Sequence, residues 1–60
     1  LIGSYIRIAF TFEPESSVEL AVRQGDSVLM IATDDDGTWI EGRYEDGRQG
    51  WFPSSYASLN

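Results

Sequence analysis

The stretch WIEGRYEDGRQGWFPSSY, residues 39–56, decides the fold. WIEGRY and RQGWF are short, aromatic-rich runs on either side of Glu45, Asp46 and Gly47. Asp46-Gly47 is a dipeptide that favours the left-handed angles of a tight hairpin turn. Two strands and a turn therefore account for residues 39–52. The end of the stretch is harder to place. GWFPSSY packs a tryptophan, a phenylalanine, a proline and a tyrosine into seven residues. A core strand usually avoids the proline, and a solvent-facing tail usually avoids the rings. Which of these rings face inward and which outward is the question on which function turns.

The rest of the chain repeats the short-strand pattern. YIRIAFTF alternates, with Ile6, Ile8 and Phe10 on one parity and Tyr5, Arg7, Ala9 and Thr11 on the other, which is a strand signature. EPESSVE is polar, with Pro14 and two serines, hence a loop. Leu20–Val22 is a short extended piece, RQGD a turn around Gly25, and SVLMIA a strong strand. TDDDGT closes that strand with a turn at Asp36-Gly37. PSSY is a short turn and ASLN a last extended piece. There are about five strands, with turns roughly every 8–12 residues and no helix longer than one turn. That spacing predicts an all-β barrel or sandwich. Closure hides strand edges that would otherwise pair with other chains. The alternation predicts a core of Ile6, Ile8, Leu20, Val22, Val28, Met30, Phe52 and Ala57. Gly42, in mid-strand, allows close packing across a tight barrel.

Composition bounds the function. Sixty residues make one small domain, which buries only about 60% of its unfolded surface. No cysteine is present to staple it. No run of about 18 apolar residues offers a membrane span, and the start has no signal-peptide pattern. Without an initiator methionine, the chain reads as a module of a larger protein. Ten carboxylates face four arginines, for a net charge of −6. This balance argues against nucleic acid and anionic membranes and favours a basic partner. With no histidine, cysteine or lysine, the usual bases and nucleophiles are missing, and no enzyme activity or cofactor is expected. TDDDGT hints at a calcium loop. Aligning Gly37 as the loop glycine puts Ala32 and Arg43 where acids belong, so no metal site is expected.

Phe10, Phe12, Trp39, Trp51 and Tyr56, with Pro53 among them, are not needed for the core. A barrel of this size cannot swallow five more rings, and exposed aromatic clusters mark binding sites.

The order of features resembles the Src homology 3 family over about residues 5–59. The family's opening A-L-Y-D-Y pattern appears as IAFTF, Ile8 to Phe12. Its acid-Leu-x-hydrophobic-x-x-Gly-acid segment appears as ELAVRQGD. Its tryptophan after an acidic loop is Trp39, with Ile40 in place of a frequent second tryptophan. Its G-[YWF]-[VIF]-P-x-N-Y ending appears as GWFPSSY. The resemblance implies an all-β fold, a small, five-stranded, partly open β-barrel of two packed antiparallel sheets, and a module that binds proline-rich, P-x-x-P-type peptides in a signalling, cytoskeletal or adaptor context within a larger cytoplasmic protein. It is expected to be monomeric as an isolated domain. The alternative it implies is contact with a folded surface or with the host protein itself, in autoinhibition or dimerisation.

Carried over residue by residue, Phe10, Phe12, Trp39, Pro53 and Tyr56 line a groove, with Trp51 at its edge and Ser55 beside it. Phe52 points into the core. Such a groove suits a polyproline II ligand, which is extended before it binds. The acids of two loops, Glu15 and Glu19 with Asp34, Asp35 and Asp36, flank a pocket for a ligand arginine or lysine. Glu19 holds the position of the pairing carboxylate. Glu13 stands in the first of these loops. The chain departs from the pattern at Phe10 and Phe12, where tyrosines are usual, at Thr11 for Asp, and at Ser55 for Asn. These changes make the groove greasier and poorer in donors. Members of the family that bind ubiquitin tend to carry Phe where this chain has Tyr56, so ubiquitin is not an expected partner.

Overall fold

The computed structural model describes residues 2–59. Five strands form: β1 (Tyr5–Ile8), β2 (Ser27–Thr33), β3 (Trp39–Arg43), β4 (Gln49–Pro53) and β5 (Ala57–Ser58), with a 3-10 turn at Ser54–Tyr56 before the last. All pair antiparallel, in the order β4-β3-β2-β1-β5. The hydrogen-bonded ladder is continuous. The two halves of the barrel are thus one sheet bent over a common core, to which β4 and β5, at opposite ends of the order, both contribute.

The β3–β4 hairpin is the expected one, and it locks the register. Trp39 faces Pro53, Ile40 faces Phe52 and Gly42 faces Gly50. At its tip Gly47 alone takes a left-handed angle, φ +96°. The Asp46 carboxylate accepts the Arg48 N–H at 3.1 Å and ion-pairs with its side chain at 2.9 Å. The Arg48 guanidinium lies 4.3 Å above the Tyr44 ring.

The buried core is Ile6, Ile8, Leu20, Val22, Val28, Met30, Ile40 and Phe52. Ile40 is an addition to the expected set. On β3 the inward positions are Ile40 and Gly42, while Trp39 takes the outward parity. Ala57, expected inside, is half-buried and packs against the core from its edge. Phe12 and Tyr44 do the same. Gly42 behaves as anticipated: a Cβ there would stand 2.9 Å from Phe52 Cε2 and 3.2 Å from Val28 Cγ2. Its missing side chain leaves the space that the Phe52 ring fills.

The first strand is shorter than its alternation suggests. β1 ends at Ile8, because the next two N–H groups, of Ala9 and Phe10, both donate to the Tyr56 carbonyl, at 2.8 and 3.1 Å. Phe12 then rejoins the structure through a single antiparallel bridge to Val22. The Leu20–Val22 piece is likewise no strand. Its neighbour Glu19 forms a parallel bridge to Trp51, Leu20 N–H donates to the Trp51 carbonyl at 2.8 Å, and Trp51 N–H donates to the Val18 carbonyl at 3.0 Å. This returning leg of the first loop covers the free edge of β4 and so brings that loop alongside the aromatic residues.

Candidate functional site

Three pieces of chain, none of them regular strand over its whole length, meet at one end of the barrel. Pro53 ends β4, where its ring needs no ladder donor. Ser54 N–H donates to the Thr38 carbonyl at 2.9 Å. The 3-10 turn then swings Tyr56 over the start of the first loop, and its carbonyl holds Ala9 and Phe10. The rings consequently stand in sequence. Phe10 meets Tyr56 edge-on with centroids 6.4 Å apart, Tyr56 meets Phe12 at 5.4 Å, and Phe12 meets Trp39 at 6.4 Å. All three contacts have the T-shaped geometry that aromatic quadrupoles prefer. Pro53 is the cross-strand partner of Trp39. Phe10 is 60% exposed, and this exposure shows that the row faces solvent rather than the core. Phe12, Trp39, Pro53 and Tyr56 are half-buried, and Ser55 is exposed on the turn. The result is a shallow apolar track in which Trp39 can donate its indole N–H and Tyr56 and Ser55 their hydroxyls.

Beyond Trp39 the track runs into an open depression of about 320 Å³ lined by Val18, Glu19, Asp34, Trp39 and Trp51. Glu19 is half-buried there, and its Oε1 accepts the Glu15 N–H at 2.7 Å. Asp34 Oδ1 accepts the Trp39 N–H at 3.0 Å, and its Oδ2, 3.2 Å from the Thr38 hydroxyl, shares that group's single proton with the nearer Asp36. The Asp34 carboxylate therefore also fixes the backbone from which the Trp39 indole projects.

Of the five acids expected around this pocket, the structure brings Glu19 and Asp34 to its lining. Glu15 contributes its backbone to Glu19 and is itself exposed. Asp36 shapes the second loop instead. Its carboxylate accepts the Thr38 hydroxyl at 2.8 Å and the Thr38 N–H at 3.2 Å, and these bonds hold its pKa below the ordinary carboxylate value. Asp35 and Glu13 are exposed on their loops. Trp51, placed by sequence at the groove's edge, is a wall of the acidic depression.

Two residues of the site escaped the sequence reading. Val18 lines the depression although it sits in a loop that reads as polar; a lone β-branched residue between Ser17 and Glu19 was the available signal. Thr38 organises both Asp34 and Asp36, and the Asp-x-x-x-Thr and Asp-x-Thr spacings of TDDDGT could have revealed it.

Among the described residues no group of three or more His, Cys, Asp or Glu side chains could hold a metal ion. No helix among them is long and apolar enough to cross a membrane.

The family model for the variant SH3 domain matches residues 5–59. The chain is 40% identical over 50 residues to Endophilin-A of Drosophila melanogaster, covering 83% of this chain and 13% of that protein. The first curated relatives are far longer than the chain, which spans 4% to 17% of their lengths. The SH3 domain of yeast NBP2 superposes with a TM-score of 0.85 at 28% identity, covering 93% of this chain and 95% of that one. The C-terminal SH3 domain of myosin IB from Entamoeba histolytica, bound to the EhFP10(GEF) peptide, shares the fold with a TM-score of 0.80 at 22% identity, covering 90% and 86%. The bent five-stranded sheet, the row of outward-facing rings and the match over residues 5–59 lead to one conclusion: the chain is a member of the SH3 domain family, a family of non-catalytic protein-interaction modules.

Proposed function

We propose that this domain binds a proline-rich segment of another protein, or of its own host, in the polyproline II conformation, with a basic side chain of that segment in the acidic depression. The observation that carries the reading is the unbroken row Phe10–Tyr56–Phe12–Trp39, which ends at Glu19 and Asp34. A polyproline II ligand repeats every three residues and rises about 3.1 Å per residue, so it presents proline pairs to successive slots between rings. Its carbonyls are free of internal hydrogen bonds and can accept from Trp39, Ser55 and Tyr56. Ring-to-proline contact supplies affinity, and the depression supplies orientation through charge.

Glu15, Asp35 and Asp36 act at longer range. Their exposed charges draw a basic segment towards the groove, an effect that speeds association and fades with salt. The cytoplasmic parts of signalling, cytoskeletal or adaptor proteins are the setting in which such a module serves. The test is a fluorescence titration, read from Trp39 and Trp51, with a proline-rich peptide carrying one arginine and with the same peptide after its prolines are replaced by alanine. The reading expects a saturable change with the first peptide and none with the second. Equal responses, or none, would overturn it.

A further inference from the structure

Where β2, β1 and β5 lie side by side, the barrel carries a second concave surface. It is a depression of about 410 Å³ that shares no residue with the ring row or the acidic depression. Its centre is Arg7. On β1 Ile6 and Ile8 are buried, so Tyr5 and Arg7 take the outward parity. Arg7 stands on the middle strand of the three, opposite Ser27 of β2 on one side and Ser58 of β5 on the other. Directly opposite residues hold their Cβ atoms roughly 4.5–5.5 Å apart. Each serine hydroxyl is therefore within reach of a group that the guanidinium holds.

The charge here is the reverse of the groove's. The chain carries a net charge of −6, yet no carboxylate lines this depression, and Arg7 is its one charged side chain. Among the described residues Arg7 has no ion pair, and neither Ser27 nor Ser58 spends its hydroxyl on a hydrogen bond. The guanidinium offers a fork of N–H donors and no acceptor, and each hydroxyl adds a donor. Beside this polar row stand Tyr5, 60% exposed, and Leu59, 57% exposed, two of the large apolar side chains that the fold leaves in water.

A carboxylate answers this set of donors. Its two oxygens take parallel bonds from the arginine fork, and its remaining lone pairs accept from the serines. Tyr5 lies two residues from Arg7, on the same face of the strand. An extended segment repeats with the same period of two, so an apolar side chain two residues from the carboxylate falls on Tyr5 or Leu59 and removes that surface from water. We infer that this face docks an acidic, extended segment of a partner protein, with aspartate or glutamate two residues from a leucine. The groove and this face thus select ligands of opposite charge.

The test is a nitrogen–proton NMR titration of the labelled domain with three peptides. One has a Leu-Ser-Asp-Ser-Leu core between glycine-serine flanks, one has asparagine for the aspartate, and one has alanine for both leucines. The first should give saturable shifts at Tyr5, Arg7, Ser27 and Ser58 and leave the Trp39 and Trp51 indole signals in place. It should bind about 3- to 30-fold more tightly than the asparagine peptide, between the worth of an exposed ion pair and that of a full charge-assisted hydrogen bond. The alanine peptide should also bind more weakly. In Arg7→Gln, checked for its fold by circular dichroism, the aspartate and asparagine peptides should bind alike. Ser27→Asp, which sets a carboxylate directly opposite Arg7, should remove the preference by occupying the fork. The inference is overturned if the first peptide produces no saturable shifts at those four residues, or if either substituted peptide binds as tightly. It is also overturned if the aspartate preference survives Arg7→Gln or Ser27→Asp.

Discussion

Replacing Gly50 by alanine should damage fold and pocket together. Gly50 is buried in β4, and a Cβ built there stands 3.0 Å from Leu20 N, 3.0 Å from the Val18 carbonyl oxygen and 3.1 Å from Glu19 C. Every one of these atoms is backbone, so no rotamer change relieves the clash. The returning leg of the first loop must retreat by a few tenths of an ångström. Two hydrogen bonds hold that leg to β4, at 2.8 and 3.0 Å, and both join it to Trp51. Losing or stretching each costs about 0.5–1.5 kcal/mol, and the overpacking itself adds about 1–3 kcal/mol. A total of roughly 2–6 kcal/mol follows from these terms, against a stability of only about 5 kcal/mol at the low end for native domains. The retreat also draws Val18 and Glu19 away from Trp39. Urea denaturation followed by intrinsic fluorescence measures the first effect, and titration with an arginine-containing proline-rich peptide the second. A loss under about 0.5 kcal/mol, with unchanged peptide affinity, would show that the leg is not pinned to β4 as described.

Further outcomes follow from the same contacts. Glu19→Gln keeps an oxygen to accept the Glu15 N–H while removing the charge. It should weaken binding of an arginine-containing peptide about 3- to 30-fold, between the worth of an exposed ion pair and that of a full charge-assisted hydrogen bond, and barely affect the peptide with that arginine replaced. A double-mutant cycle with coupling near zero at moderate salt would show that Glu19 is only a solvated acid. Trp39→Ala should abolish peptide binding in a folded domain, whereas Ile40→Ala, its buried neighbour, should cost about 2–5 kcal/mol of stability. Failure of Trp39→Ala to fold would refute the division between groove and core. Tyr44 is raised from 10.0 to about 12, first by burial and then by its hydrogen bond to Asp26. Its neutral form is favoured by the fold, so the associated stability is present below pH 10 and is lost as pH rises from about 10 to 12. A phenolate absorbance titration should show a late step that Tyr44→Phe removes; an unchanged late step would contradict the assignment.

The fold was legible because turn chemistry and alternation agree along most of the chain. Asp46-Gly47 marks the hairpin, and Val28 and Met30 alternate cleanly on β2. Legibility failed where tertiary bonds override local pattern. YIRIAFTF alternates through Phe12, but the Tyr56 carbonyl, 46 residues from Phe10 in sequence, takes the N–H groups that would have extended β1. Ile40 was hidden by its neighbour. Trp39 and Ile40 are both large and apolar, and their parity is fixed only by Gly42 and Phe52 beyond them. At the site, the rings were legible as a surplus over what the core can hold. Among the acids, Glu19 was singled out by the resemblance, and the others were legible only as a cloud of charge. Which of the others reaches the depression depends on loop bonds, above all that of Asp34 to the Trp39 N–H, that hydrophobic alternation does not encode.

The central claim is that a proline-rich segment lies along the ring row and ends at the acidic depression. The most direct measurement is a nitrogen–proton NMR titration of the labelled domain with an arginine-containing proline-rich peptide, following backbone and indole signals. The account predicts saturable shifts concentrated at Phe10, Phe12, Glu19, Trp39, Trp51, Ser55 and Tyr56, with both indole N–H signals moving. Shifts that instead gather at Tyr5, Arg7, Ser27 and Leu59, which line a separate depression of about 410 Å³, would contradict it.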